Sequence, residues 1–314
     1  MIIMKLKTTG KHLAAIVFAL AALFFPARSS AGEYQGISTF KFLKIDIGAR
    51  PAAMGGAFTA VSDDVSANFY NPAGLALLKK KELMAMHNMW FQGINHEYLA
   101  AVIPSRKFSI GIDANYLSAG ELEKRNYLGI LTGSFNPFSY AVGLAAGLSL
   151  TDNLKAGLKI KYIEETVFTS RASSAAIDAG VLYKSRNFSA GAAALNIGPP
   201  LKYADDDADY QDMKYRIGLA YKPYIYAFSV KNSLVLSLEA QGSIEDRPYF
   251  CGGLELNLLK EMISLRAGYN PEKVNNTGMT FGAGVNLKFI RMDYAYIPYE
   301  LLGNTQRFSV IMKF

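Results

Sequence analysis

Residues 154–162, LKAGLKIKY, place Leu154, Ala156, Leu158, Ile160 and Tyr162 on one face and Lys155, Gly157, Lys159 and Lys161 on the other. Alternation with a period of two marks a β-strand whose faces meet different surroundings. Residues 108–116 repeat it, with Phe108, Ile110, Ile112, Ala114 and Tyr116 opposing Ser109, Gly111, Asp113 and Asn115. So do residues 279–288, where Met279, Phe281, Ala283, Val285 and Leu287 alternate with Thr280, Gly282, Gly284, Asn286 and Lys288. Alternation alone fits a soluble sandwich or a membrane barrel.

Three features select the barrel. Many strand candidates are about 9–11 residues long, enough to cross a bilayer at a tilt, whereas sandwich strands are shorter. Tyr162, Tyr183, Tyr221, Tyr269 and Tyr296 lie towards strand ends, as an interfacial girdle requires. Finally, Phe308, Val310, Met312 and Phe314 alternate up to a terminal aromatic residue, the form of strand that outer-membrane assembly machinery reads. The expected fold is all-β: a transmembrane antiparallel β-barrel of about 14 strands with an N-terminal hatch inside the lumen. The strands are expected near 82–90, 95–103, 108–117, 139–150, 154–165, 173–184, 187–197, 213–222, 233–241, 248–258, 262–270, 278–288, 290–297 and 306–314.

Connection lengths support this count. Short turns are expected after even-numbered strands (104–107, 151–153, 185–186, 259–261 and near 289) and longer loops after odd-numbered ones (118–138, 166–172, 198–212, 271–277 and 298–305). Connection 223–232 is long for its side, and loop 91–94 is short for its own. In lipid an antiparallel sheet has to close, because no backbone N–H or C=O can go unpaired there. Beyond the leader no run of about 20 apolar residues occurs, so spanning helices are not expected.

Lys5, Lys7 and Lys11 precede an apolar run from Leu13 to Phe25, and small residues end at Ser29-Ser30-Ala31. These are the parts of a secretory signal peptide with cleavage near Ala31; the apolar run is too short to span a membrane. The expected organisation is a signal peptide over 1–31, a hatch over 32–81 and a barrel over 82–314, located in the outer membrane of a Gram-negative-type cell. The whole chain carries 33 basic and 26 acidic residues. The leader holds four of the cations and no acid, so the exported chain is only slightly basic, and nucleic acid is not an expected partner. The single cysteine, Cys251, can form no intramolecular disulfide.

Residues 48–76, GARPAAMGGAFTAVSDDVSANFYNPAGLA, are too small and too glycine-rich to build a core of their own. Ala52, Ala53, Met54, Ala57, Phe58 and Ala60 allow short helical turns after Pro51, which suits a first helical position. Gly55 and Gly56 permit close backbone approach to a neighbour. Ser62, Asp63 and Asp64 read as a turn or helix cap, and Asn71-Pro72 as a turn opening. The whole segment is expected to plug a barrel lumen.

This segment, followed by strands and a terminal Phe, resembles the FadL-type outer-membrane transport superfamily, nearest its PorV/PorQ branch. Residues 196–203 (NIGPPLKY), 265–269 (LRAGY), 293–296 (DYAY) and 302–308 (LGNTQRF) are also similar to that branch. The resemblance implies a fourteen-stranded barrel with an N-terminal hatch whose Asn-Pro-Ala element falls on Asn71, Pro72 and Ala73, followed by Gly74. It implies one of two roles. FadL-type members pass hydrophobic compounds, and PorV-type members receive cargo proteins from the type IX secretion pore. The expected partners are outer-membrane lipid, the barrel-assembly machinery, and either a hydrophobic small molecule or a secretion-system pore with its cargo.

Catalytic chemistry is not indicated. The exported chain has only His87 and His96, expected near opposite ends of the first hairpin, and no G-x-S-x-G element. Two histidines and a distant cysteine make no metal-ligand spacing. Asp205, Asp206, Asp207 and Asp209 read as a solvated acidic loop rather than a Ca²⁺ site. No phosphate-cradling loop is present and no cofactor is expected. Lys159, Lys161, Arg216, Glu239, Arg266 and Asp293 face the lumen and are expected to pair across strands. Loop 118–138 carries Leu128, Ile130, Leu131, Phe135 and Phe138, apolar surface suited to a ligand or partner.

Overall fold

A computed structural model describes residues 38–202, 208–227, 230–244, 246–271, 278–299 and 303–314. The leader and Asp205–Asp207 lie outside the described residues. Fourteen strands form the wall. The first seven are β1 (Glu82–Met89), β2 (Asn95–Pro104), β3 (Phe108–Ser118), β4 (Phe138–Ser149), β5 (Leu154–Val167), β6 (Ser170–Lys184) and β7 (Phe188–Ile197). The remaining seven are β8 (Lys214–Tyr221), β9 (Val230–Ser243), β10 (Tyr249–Leu258), β11 (Ile263–Tyr269), β12 (Met279–Asn286), β13 (Ile290–Ile297) and β14 (Thr305–Lys313).

Each strand pairs antiparallel with the next. Strand β14 pairs with β1, from Glu82 opposite Lys313 to Met89 opposite Gln306, and so closes the barrel. The terminal Phe308, Val310 and Met312 face outwards along this seam, while Ser309 and Ile311 are buried inside. The alternation read from the sequence is the alternation of the wall. On β5, Leu158 and Ile160 are exposed on the outer face and Gly157, Lys159 and Lys161 are buried on the inner one.

The long connection after β8 is mostly not a loop. Residues Tyr224–Ala227 pair with Val230–Ser233 of β9, in the register that β8 already has: Tyr221 opposes Leu236 and Tyr224 opposes Ser233. The hairpin therefore continues past Pro223, whose missing N–H interrupts the ladder. Loop 118–138 is a second exposed hairpin, Leu122–Arg125 against Leu131–Phe135.

Residues 40–78, ahead of β1, lie against the inward positions of the wall. They form α1 (Ala49–Ala53), α2 (Ala67–Tyr70) and 3₁₀ turns at Lys41–Lys44 and Pro72–Leu77. Pro51 is the third residue of α1, not the first; it still lies in the opening turn, where a helix needs no proline N–H. Ile47, Ala52, Phe58, Tyr70 and Leu75 are wholly buried.

The segment reaches both sides of the barrel. Met54 meets Gly253 of β10, Ala53 meets Gly282 of β12, and Gly55 meets Gly268 of β11. On the far side Pro72 and Ala73 lie on Gly157 of β5, Asn71 on Gly180 of β6, and Leu75 on Gly147 of β4. Strands β12 and β5 stand half a turn apart in a fourteen-stranded ring. A side chain at Gly157 would collide with the Pro72 carbonyl carbon, so the close approach of two backbones depends on the missing Cβ.

Gly157→Val is expected to destabilise the protein by about 1–3 kcal/mol through overpacking, read as a lower urea midpoint of the folded barrel. Gly252→Ala is the control, since its Cβ would meet nothing nearer than the Ser237 carbonyl at 3.6 Å and should leave that midpoint unchanged.

Candidate functional site

The one cation between Lys44 and Lys79 is Arg50, set among Asp46, Asp63 and Asp64. On α1 it is buried, and its guanidinium makes four hydrogen bonds to carboxylates. Nε donates to Glu255 Oε2 at 2.7 Å and Nη2 to Glu255 Oε1 at 2.9 Å, a two-point grip on β10. Nη1 donates to Asp63 at 2.6 Å and to Asp64 at 2.8 Å. Glu255 also accepts from Arg266 of β11 at 2.6 Å, and Arg266 lies 2.8 Å from Asp293 of β13. Arg291 of β13 pairs with Asp293 at 2.8 Å and with Asp64 at 2.6 Å.

The chain of contacts returns to where it began. Arg50, Glu255, Arg266, Asp293, Arg291 and Asp64 form a closed ring of alternating charge, with Asp63 attached at Arg50. Alternation is what allows so many charges to sit away from water, since each is flanked by opposite charges and by hydrogen bonds. Burial by itself would push the Asp64 carboxyl up, but Arg291 and Arg50 hold it well below the usual carboxylate range. Asp64 also accepts from the backbone N–H of Ser66 at 3.0 Å, so the local turn role read from sequence and the ion pair coexist.

A second set of contacts holds the middle of the segment. Arg216 of β8 stands 2.8 Å from Glu239 of β9, donates to the Gly56 carbonyl at 3.1 Å, and lies over the Tyr70 ring at 4.8 Å. Glu239 accepts from the Thr59 N–H at 2.8 Å. Lys159 pairs with Asp113 of β3 at 2.8 Å and donates to the Asn68 carbonyl at 3.1 Å. Lys161 pairs with Asp178 of β6 at 2.7 Å. The lumen charges read from sequence do pair across strands; what the sequence hid is that the segment ahead of β1 joins those pairs.

The residues singled out from the sequence divide into two places. Gly55 and Gly56 have φ of +66° and +78°, and a Cβ at Gly55 would meet the Tyr269 carbonyl at 2.6 Å. Asn71 is wholly buried: its side chain accepts from the Ala73 N–H at 3.1 Å and donates to the carbonyls of Thr59 and Val181 at 3.0 and 3.1 Å. Pro72, Ala73 and Gly74 follow in the 3₁₀ turn against β4–β6. No ion pair of this turn is among the described contacts. Hydrogen bonds and contact with wall glycines hold it.

Outside the wall, directly behind that turn, is a groove of about 530 Å³. Ala156, Ala179, Ala192 and Ala194 form its floor, and Leu148, Leu158 and Ile217 its sides. A second apolar hollow of about 730 Å³ continues along β4–β7, beside Leu144, Ile160, Ile177 and Ile197. At the loop end, Phe40, Phe42, Leu117, Phe138 and Val167 line a further cavity of about 420 Å³.

His87 and His96 are not at opposite ends of the hairpin. His96 opposes Asn88, next to His87, and the two rings point to opposite faces of the wall. His87 Nδ1 lies 2.6 Å from Glu97 outside, and His96 Nε2 lies 2.5 Å from Asn115 inside. Among the described residues no group of His, Cys, Asp and Glu is arranged to hold a metal ion.

Residues 16–312 match the family described as an uncharacterised protein family, UPF0164. The chain belongs to that family. Its fold is similar to the Pseudomonas putida toluene transporter TodX, with a TM-score of 0.55 at 14% identity, over 88% of this chain and 98% of that one. The Ralstonia pickettii toluene transporter TbuX gives 0.55 at 14% identity, over 85% and 97%. The monoaromatic hydrocarbon channel CymD gives 0.52 at 11% identity, over 85% and 97%. Identity this low shows a shared barrel fold. Comparison with curated proteins gave no match.

Arg50→Ala is expected to cost about 3–5 kcal/mol, because it strips a partner from Glu255 and Asp64 while leaving both buried. Rapid proteolysis within residues 40–81, with the barrel still resistant, is the expected readout. Arg50→Lys should fall between, since an ammonium cannot make the two-point contact. Arg125→Ala, which breaks an exposed pair with Glu123, should change nothing measurable.

Proposed function

We propose that this chain is an outer-membrane barrel of the FadL type that captures a hydrophobic compound and passes it through a hatch-gated barrel. It carries no catalytic role in this reading. Residues 1–31 direct export, residues 32–81 are the hatch, and the assembly machinery reads Phe308, Val310, Met312 and Phe314 on the closing strand.

One arrangement carries the reading. The Asn71–Gly74 turn and the outer apolar groove lie back to back, with the glycine and alanine of β5 and β6 between them. Small side chains make the wall thinnest there, and no ion pair has to break for the turn to leave. The loop-end cavity, lined by Phe40 and Phe42 and also by Lys41, Ser139 and Glu165, is a place of first capture. The fold shared with TodX, TbuX and CymD supports a barrel that handles apolar molecules.

Hatch movement can be arrested by a disulfide. The Cβ of Ala60 would lie 3.3 Å from a Cβ placed at Gly218 on β8, close to the 3.5–4.5 Å of a disulfide. In a Cys251→Ser background, Ala60→Cys with Gly218→Cys is expected to stop entry of an apolar fluorescent probe into cells until a reductant is added. Unchanged entry through the oxidised protein would reject a hatch whose opening carries Ala60 away from β8 and confine any movement to the Asn71–Gly74 turn, and equal entry in cells lacking the gene would reject transport.

A second reading has its own observation. On hairpin 122–135, Tyr127 is 94% exposed and Leu128, Ile130 and Leu131 are all more than half exposed. Such a tip suits a secretion-system accessory role of the PorV/PorQ kind, in which the loops hold the pore and its cargo. Deleting residues 122–135 is then expected to leave barrel assembly intact while secreted cargo is lost from the medium. Normal secretion by that deletion strain excludes the accessory role.

A further inference from the structure

The two ends of the barrel differ in charge. At the loop end the signs are interleaved: Glu123 with Arg125, Glu164 with Arg171, Lys44 with Asp246. At the short-turn end cations dominate. Arg106 and Lys107 occupy the β2–β3 corner and Lys184 and Arg186 the β6–β7 corner, while Lys222 lies partway along the β8–β9 hairpin, before Pro223. Lys260 and Lys288 stand at the next two, and Lys79-Lys80-Lys81 leads into β1 beside Lys313. Among the described residues the β4–β5 corner carries Asp152 and no exposed cation, and Lys222 of the β8–β9 hairpin is half-buried and paired with Glu261. The other acids at this end are already occupied: Glu82 lies 3.2 Å from Lys313, Glu261 lies 3.0 Å from Lys222, and Asp63 is held by Arg50.

Two details say what this charge meets. The exposed cations are spread around the rim at five of its seven corners, where a protein docking from below would need one contiguous face. Several are also followed directly by an outward aromatic residue: Lys107-Phe108, Lys288-Phe289 and Lys313-Phe314. Lys288 Nζ lies 5.2 Å from the Phe289 ring centre. A cation above an exposed aromatic ring matches the passage from headgroup to acyl chain in a bilayer.

We infer that the short-turn rim is a collar for anionic phospholipid headgroups of the inward-facing leaflet. The inference rests on the membrane-barrel reading above. Phosphate groups meet the ring of Lys and Arg, while Phe108, Phe289 and Phe314 seat in the acyl region below them. Such attraction is electrostatic and weakens with salt.

The full-length exported chain is reconstituted in nanodiscs of equal phosphatidylcholine and phosphatidylglycerol, and the lipid retained after mild detergent stripping is counted by mass spectrometry. Enrichment of phosphatidylglycerol by about threefold or more is expected, falling towards the bulk ratio in high salt. The same fall is expected in a variant with Lys79→Gln, Lys80→Gln, Lys81→Gln, Arg106→Gln, Lys107→Gln and Lys288→Gln. Heat-modifiable gel mobility reports separately that each protein has inserted as a barrel. A wild-type protein that inserts but retains lipid at the bulk ratio overturns the collar; one that does not insert overturns the membrane reading instead. If lipid stays at the bulk ratio and the same six substitutions release an acidic periplasmic protein, the rim is a protein-docking face and the lipid assignment is wrong.

Discussion

Closure of the backbone ladder between β1 and β14 is the constraint on which everything else depends. A sheet without edges leaves no unpaired N–H or C=O along its rim of strands, which is the condition for a wall in lipid. Closure also creates an interior that has to be filled. Fourteen strands enclose more space than their own inward side chains occupy, and the chain ahead of β1 packs against inward glycines on opposite sides of the wall. Wall glycines such as Gly157 and Gly268 make the fit possible by letting backbone touch backbone.

The two sides of that inner segment are held differently. The α1 side is fixed by a ring in which Arg50 is shared among Glu255, Asp63 and Asp64, and opening it would leave charges buried without partners. The Asn71–Gly74 side rests on neutral hydrogen bonds and close contact. A hinge-like motion would therefore leave α1 seated and release the turn beside β5 and β6. The groove behind those strands lies on the side held without an ion pair among the described contacts.

Much of the barrel was legible in the sequence because a strand's period is local. Lys155, Gly157, Lys159 and Lys161 announce an inner face without reference to any other strand. The parity of long and short connections is legible too, except at loop 91–94, which is short on the long-loop side, and after β8, where a strand resumes beyond Pro223. The site was less legible. Asp63 and Asp64 were read as turn residues because their partners, Arg291 and Glu255-bound Arg50, belong to a network spanning more than 200 residues of chain. Arg50 itself carries one signal, as the only cation between Lys44 and Lys79, set within a run of small residues.

Strands, their faces, the aromatic closing strand and a compact Gly/Ala-rich segment before them all follow from the order of residues alone. Those are properties of residues two, or a few, positions apart. Where that segment sits, which glycines of the wall receive it and which charges hold it emerge from the folded barrel. Contacts between Met54 and Gly253, or Arg291 and Asp64, depend on how a closed ring brings distant strands to face one another. No local periodicity encodes that meeting; it follows from the curvature and register of the whole barrel.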